Sequence, residues 1–533
     1  MTAASLAFPS EQVAWRPKVN PWAIAATVSM AAFIEVLDTS VANVALPYIA
    51  GDVGASYDDS TWVLTSYLAA NAIVLPISGW LAEIIGRKRY FMISLAIFTL
   101  SSLLCGLAPS LPLLLFFRAV QGIGGGGLQP MAQAILNDTF PPEQRGSAFA
   151  VYGITAVLAP TIGPMLGGWI TDNYSWRWIF FITLPVVLLA LYLTHTLVED
   201  PPFLRRLKSG GIRVDYIGIP LLVLGVGSLQ VVLDKGQEDD WFGSRFITIL
   251  AITAAVCLIS LVIWEWLREH PIIDVRMFRS FNFAAANLMM FMMGFMLFST
   301  LVLIPEFLQT LMGYTSELAG LVLSGGGVVL LVMMPVVGRL TSKIQARWLI
   351  ATGWLCLAIG LFYCAHEIDL FVSFRFAMWL RVAQVIGIGF LFVPITAAGY
   401  NGVPPEKGNS VSGMINFMRN IGGSIGTSVV TTMIARRSQY HQQILISHIT
   451  SDSPEFRSAF QALSSKIAHS GLRSADARHQ AIARLYGSVH QQSGALSYMD
   501  IFWVLGALCS IMFVLAFFLR KNDPGAGGEV AVG

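Results

Sequence analysis

Apolar runs of roughly twenty residues recur along almost the whole chain, separated by short polar or basic turns. Each run is long enough to cross a hydrocarbon core of ~30 Å. They predict fourteen membrane-spanning helices, at 22–48, 60–82, 90–108, 112–137, 147–172, 177–197, 215–234, 246–267, 282–311, 317–341, 347–365, 369–399, 409–435 and 498–520. The N-terminus is polar up to Asn20, and no small-residue cleavage site follows the first apolar run, so that run reads as a retained helix rather than a signal peptide. One connection is long, 436–497. Within it Phe456, Phe460, Leu463 and Ile467 fall at helical spacing, as do Ile482, Leu485 and Val489, with Ser474 placed to cap the second segment. A short external helical hairpin is expected, its two apolar stripes packed on each other, with docking to a partner the lesser reading.

An internal repeat organises the pattern. Arg118, Gln121, Gly124, Gly126, Pro141, Pro142 and Glu143 recur as Arg381, Gln384, Gly387, Gly389, Pro404, Pro405 and Glu406, at a constant offset of 263 residues (118 to 381, 143 to 406). The fourth and twelfth spans are one element used twice. Six spans precede the polar, basic stretch 198–214, six follow the one near 268–281, and two extra helices lie between. The expected division is a tail 1–21, a six-helix bundle 22–200, a linker 201–281 with two extra helices, a second six-helix bundle 282–520 containing the loop 436–497, and a tail 521–533. Two same-topology halves around a central pathway is the parallel-repeat plan of a secondary transporter.

Composition agrees. The 533 residues are 55% hydrophobic and 12% charged, about half the ~25% charge of a soluble protein, and mean hydropathy is +0.66. The chain is an all-α polytopic membrane protein. Its net charge of +2 says little about partners, and nothing points to nucleic acid. The distribution of charge says more. With the N-terminus inside, one face collects Arg16, Lys18, Arg87 to Arg89, Arg145, Arg205 to Arg213, Arg268, Arg276, Arg279, Lys343, Arg347, Lys407, Arg520 and Lys521. The opposite short loops hold Arg177, Lys235, Arg245 and Arg375. Both termini are therefore expected in the cytoplasm, the long loop being left out of the count. Five cysteines without C-x-x-C spacing read as small packing residues, and eight scattered histidines define no metal site.

Two features carry candidate chemistry. Gly122, Gly124 and Gly127 spell G-x-G-x-x-G, but inside an apolar run with no preceding strand, and no G-x-x-x-x-G-K-[ST] occurs, so neither a dinucleotide site nor ATP as energy source follows. Consecutive glycines in a membrane helix mean close packing or a bend. The first span holds Glu35 and Asp38, three apart and on one helix face. An ionised Asp at mid-membrane costs ~2.5–3.5 kcal/mol, so both acids must face a cavity or a partner, and Arg118 is the partner for Asp38. A static ion pair is one reading. A protonatable switch is the other, because burial disfavours a carboxylate's charge while a nearby arginine favours it. Glu306, after Pro305, is a third acid of this kind. Asn43, Gln121, Gln129, Gln133, Gln309, Gln384, Asn416 and Arg419 are individually helix–helix glue. Together with Glu306 they suggest a wet or amphipathic cavity.

These residues resemble a known family, the major facilitator superfamily, and within it the fourteen-helix drug:proton antiporters of the EmrB/QacA type. Leu37 to Pro47, L-D-T-S-V-A-N-V-A-L-P, resembles the first-helix signature, whose acid is implicated in proton coupling. Gly79 to Arg89, G-W-L-A-E-I-I-G-R-K-R, resembles the loop between helices 2 and 3. Arg118 to Gly126 resembles the fourth-helix motif, whose arginine tunes proton transfer, and Ala159 to Gly168, A-P-T-I-G-P-M-L-G-G, the fifth-helix antiporter motif. W-R-W-I-F-F-I from Trp176 and R-N-I-G-G-S-I-G from Arg419 add branch-level likeness.

The resemblance implies two six-helix bundles plus two inserted helices in a bacterial inner membrane. It also implies export of amphipathic small molecules by alternating access, driven by the proton gradient without a cofactor. Asp38, Glu35 and Arg118 would couple protons. Gly79, Glu83, Gly86, Arg87, Lys88 and Asp138 would form the inner gate, with Asp138 a charge partner for Arg87. Ala159, Pro160, Gly163, Pro164, Gly167 and Gly168 would give close contact and a bend between the halves. EmrB-like permeases often work with a periplasmic adaptor and an outer-membrane channel, for which 436–497 is the contact to test. Glu83 replaces the family's usual Asp, Ile84 stands where Arg is common, and the second-half copy G-R-L-T-S-K from Gly338 is degenerate, which weakens a detailed charge relay at the gate. Two alternatives stand beside export of drugs: export of one metabolite such as a siderophore, lipid or amino-acid derivative, and a polytopic membrane enzyme, which would need ligand clusters at one membrane face. Only the first half supplies acids such as Glu35 and Asp38 on its first helix, so proton coupling is assigned to that half and much of the substrate surface to the other.

Overall fold

The computed structural model describes residues 17–200, 215–269, 271–401, 403–404, 407–449, 453–469 and 474–519. The tails, the basic stretch 201–214 and the second-copy Pro405 and Glu406 fall outside them. The helices are α1 Pro21–Val53, α2 Tyr57–Ile85, α3 Arg87–Leu107, α4 Leu111–Gly125, α5 Leu128–Thr139, α6 Pro142–Asn173, α7 Trp178–Phe181, α8 Leu184–Leu197, α9 Gly218–Lys235, α10 Arg245–Leu267, α11 Phe281–Thr310, α12 Ser316–Thr341, α13 Ala346–Glu367, α14 Phe374–Tyr400, α15 Gly408–His448, α16 Pro454–Ala468 and α17 Ser474–Ala516.

Local chemistry sets the ends. The Asn20 side chain accepts from the Trp22 amide ahead of Pro21, and Gly54, at φ +65°, closes α1 in the left-handed region. Ser56 and Ser373 cap α2 and α14 in the same way.

In the first half α1 packs along α6, and α4 lies between α2 and α3. In the second, α11 packs on α15, and α14 between α12 and α13. The inserted α9 and α10 pack on each other, α9 also touching α2 and α15. The other face of α10 leaves Ile249, Ile252, Val256, Ile259 and Ile263 exposed at helical spacing, as lipid contact requires. The halves meet through α6 on α12 and through α2 and α5 on α15.

Two expectations change. By length and apolarity twelve of the described helical segments qualify as membrane spans, thirteen with α6, which bends by 40° between Pro142–Pro160 and Ile162–Asn173. The one predicted span not among them, 409–435 within α15, is too polar to qualify, with Asn409, Ser412, Asn416, Arg419, Asn420 and Ser424 along it. A helix packed against α2, α5, α11 and α17 is screened from lipid by protein and need not be apolar. The second change is at 436–497, which is no separate hairpin. Helix α15 continues to His448 and α17 starts at Ser474, so both helices run unbroken into this stretch. The first stripe, with Phe460, Leu463 and Ile467, packs on Ala477 and Ala481 rather than on the second stripe, and Ile482 is 51% exposed. Alanines admit a neighbouring helix where isoleucine would hold it off.

Candidate functional site

The glycine run sets the position of Arg118. Helix α4 ends at Gly125 and α5 restarts at Leu128, so the fourth span is broken there. A Cβ on Gly122 would lie 2.3 Å from the Tyr67 carbonyl oxygen, and one on Gly124 2.7 Å from the Phe98 nitrogen. Only glycine lets α4 lie this directly on the backbones of α2 and α3. Arg118 is thereby held fully buried. Its Nη1 donates to Asp38 Oδ2 at 2.6 Å and to Gln121 Oε1 at 2.8 Å, and its Nε to the Val63 carbonyl at 3.1 Å. Gln121 Nε2 donates to the other Asp38 oxygen at 3.0 Å. The guanidinium lies 4.5 Å from the Tyr67 ring centroid and 5.6 Å from that of Phe180. Asp38, itself 2% exposed, is thus charge-paired and fully hydrogen-bonded.

Glu35, one turn away, has different company. Tyr67 Oη and Asn71 Nδ2 each donate to its Oε1 at 3.0 Å, and Gln129 Nε2 donates to its Oε2. All three donors are neutral. Gln129 in turn accepts from Tyr152 Oη at 3.0 Å and from Arg419 Nη2. Because Arg419 belongs to α15, this chain carries Glu35 across to the second half. Two more bonds cross beside it, Asn416 Nδ2 to Gln133 Oε1 at 2.9 Å and Asn420 Nδ2 to Asn71 Oδ1 at 3.4 Å.

The second half repeats the arginine without the acid. Arg381 on α14 is 2% exposed, and its Nη1 donates to Thr300 Oγ1 at 3.0 Å and Gln384 Oε1 at 3.1 Å. Gln384 also contacts Cys364 Sγ at 3.2 Å, as Gln121 contacts Cys105 Sγ at 3.7 Å. Thr300 on α11 thus faces Arg381 as Asp38 on α1 faces Arg118. No carboxylate pairs with Arg381 among the described residues, and its Nε has no hydrogen-bond partner.

The closest approaches between halves lie toward the end that holds the α2–α3 turn. A Cβ on Gly79 would meet Ser410 backbone at 2.8 Å, and one on Gly146 the Gly338 carbonyl at 2.4 Å. Tyr152 stacks on Phe392 and Phe149 on Tyr400, with centroids 5.9 and 5.8 Å apart. Glu83 faces Ser410 and Lys407, and Lys407 pairs with Asp274 at 2.5 Å. Gly86 turns the chain at φ +92°. Arg87, 2% exposed, pairs with Asp138 and donates to the Ala134 carbonyl at 3.2 Å. Lys88 Nζ donates to the His195 carbonyl at 2.7 Å, tying the turn to α8.

The α6 stripe departs from expectation. Gly163 and Gly167 abut Ser40 and Val41 of α1, Gly168 comes nearest Val44, and the Pro160 carbonyl accepts from Ser40 at 3.4 Å. With half-buried Pro164 on the same segment, these residues pack within the first half. The contact with the other half falls earlier on α6, at Gly146, Tyr152 and Gly153, because small residues signal a close neighbour without saying which helix it is.

Of the remaining candidates, Asn43 and Gln309 are exposed, and Glu306 is half-buried on α11, in the half opposite Glu35 and Asp38. Tyr67, Asn71, Tyr152 and Thr300 were missed. Tyr67 and Asn71 carry a usable signal, two polar side chains four apart in an apolar span. Thr300 carries none. No cluster of three or more His, Cys, Asp or Glu fit to hold a metal occurs among the described residues.

Comparison with known proteins agrees with this architecture. The Multidrug export protein EmrB of Escherichia coli is 36% identical over 501 residues, covering 94% of this chain and 95% of that protein. EmrB of Haemophilus influenzae is 38% identical over 491 residues, covering 91% and 94%. The solved structure of the proton:xylose symporter XylE matches with a TM-score of 0.58 at 15% identity, over 95% of this chain and 97% of that one, a likeness of fold. The sequence profile of the Major Facilitator Superfamily matches residues 28–427. The chain is a multi-pass membrane transporter and belongs to the major facilitator superfamily.

Proposed function

We propose that this protein exports amphipathic small molecules across a bacterial inner membrane in exchange for protons, by alternating access. The observation that carries the reading is the pair of acids on α1 in unlike settings, Asp38 locked to Arg118 and Glu35 bonded only to neutral donors that lead to Arg419 in the other half. A proton on Asp38 removes the charge that holds Arg118. A proton on Glu35 Oε2 turns that oxygen from acceptor to donor against Gln129 Nε2, so Gln129 must reorient and its bond with Arg419 across the halves is disturbed. Protonation from outside thereby loosens the closed end, where Gly79 and Gly146 meet α15 and α12, and proton loss inside restores it. Membrane potential adds ~2.3 kcal/mol per charge per 100 mV, enough for one or two protons to drive an appreciable gradient. The names of the EmrB relatives support drugs over a single metabolite as cargo. In this reading the projecting ends of α15 and α17 with α16 are where a periplasmic adaptor, leading to an outer-membrane channel, would seat.

The test is exchange in proteoliposomes. An imposed pH gradient should move a fluorescent amphiphile in the wild type, and Asp38→Asn should abolish that movement while Glu35→Gln slows it. Wild-type liposomes that move nothing would remove the reading.

A further inference from the structure

The second half contains a buried cation that no carboxylate balances among the described residues. Arginine stays protonated in proteins, so Arg381 keeps its charge wherever it is placed. Around it stand Thr300 of α11, Gln384 of its own helix and Cys364 of α13, all uncharged. Gly326 of α12 covers the stem, its Cβ position 3.2 Å from Arg381 Cγ. Arg118, at the equivalent place, has a carboxylate at 2.6 Å and an aromatic face at 4.5 Å. A buried guanidinium without a counter-charge is unfavourable unless an anion reaches it during the working cycle. The planar fork suits two-oxygen groups such as carboxylate, sulfonate or phosphate.

We propose that Arg381 is an anion-recognition site in the second half, which binds the negatively charged head group of an amphiphilic substrate where Asp38 would stand in the first. The proposal rests on the export reading and narrows it. Protons are handled by the arginine with a resident acid, and a substrate anion is taken by the arginine without one. Thr300 and Gln384 hold the guanidinium in place until the anion arrives.

Three naphthyl amphiphiles with the same tail test this, bearing a sulfonate, an uncharged sulfonamide or a trimethylammonium head. The sulfonate keeps its charge at every working pH. Binding to the purified full chain and transport into proteoliposomes are both measured. The wild type should favour the sulfonate over the sulfonamide by at least ~10-fold, the size expected of a charge-assisted bidentate contact. Arg381→Gln should bring that ratio close to one, and Arg381→Lys should retain part of it. Thr300→Asp, which supplies an internal carboxylate, should also abolish it, and a cooperative thermal unfolding transition of the purified variant shows that it is folded.

A sulfonate preference that survives both Arg381→Gln and Thr300→Asp overturns the proposal. So does a loss of all transport in gluconate that added chloride restores, which would make a small inorganic anion the resident partner. If the wild type moves the sulfonamide but does not prefer the sulfonate, this inference fails alone. If it moves none of the three, proton-coupled export itself fails.

Discussion

Arg118 and Arg381 occupy equivalent places on α4 and α14. Each has a glutamine three residues on and a cysteine from the preceding helix beside that glutamine. Their surroundings differ at one decisive position, where the first half presents Asp38 and the second Thr300. The first site is electrically closed, with both carboxylate oxygens bonded and the guanidinium laid against Tyr67. The second is polar but uncompensated. On the proposal made above, one side chain changed opposite a retained arginine gives a repeated fold two tasks. The backbone has diverged too, since α4 breaks at its glycines where α14 runs through from Phe374 to Tyr400.

The sharpest way to break this comparison is to remove one member of the closed pair. Asp38→Asn leaves Arg118 buried without its counter-charge, and losing one partner of a buried pair costs ~3–5 kcal/mol. Thermal unfolding of the purified protein should fall accordingly. The double variant Asp38→Asn with Arg118→Gln should recover much of that loss, because neither charge is then stranded. An additive double variant would mean that the two residues do not act as a pair.

The reverse change in the other half should have the opposite sign. Thr300→Asp gives Arg381 the acid it lacks, and thermal stability should rise by up to ~2 kcal/mol. Arg381→Gln should be neutral or stabilising by ~1 kcal/mol, since it takes an unbalanced charge out of the interior. A marked drop in either melting curve would show that the second site already has a counter-charge. The smallest effect belongs to the half-exposed Lys407–Asp274 pair at the closed end, where Lys407→Ala should change stability by no more than ~1 kcal/mol.

How much of this was legible in the sequence follows from what each residue costs if misplaced. Asp38 and Arg118 are each expensive in hydrocarbon, so their places inside apolar spans suggest the pairing. The offset of 263 residues likewise marks Arg381 as the mirror of Arg118. Thr300 is invisible, because a threonine in a membrane helix bonds its own backbone as readily as a neighbour. The surroundings of Glu35 are only partly legible. Tyr67 and Asn71, four apart on α2, mark a polar face without naming what it meets, and only packing brings them and Gln129 of α5 to one carboxylate, with Tyr152 of α6 behind Gln129. In sequence α15 looks like an ordinary span, whereas Asn416 and Arg419 face protein rather than lipid. The small residues of α6 announced a tight contact, and geometry alone assigned it to α1.

Proton release on substrate binding tests most directly whether coupling belongs to the half that owns the acids. The purified protein, in weak buffer with a pH indicator, is mixed with the uncharged sulfonamide amphiphile. Wild type and Arg381→Gln should release protons to the same extent, and Asp38→Asn should release measurably fewer. Unchanged release from Asp38→Asn, with release lost in Arg381→Gln, would place coupling in the wrong half and contradict the assignment.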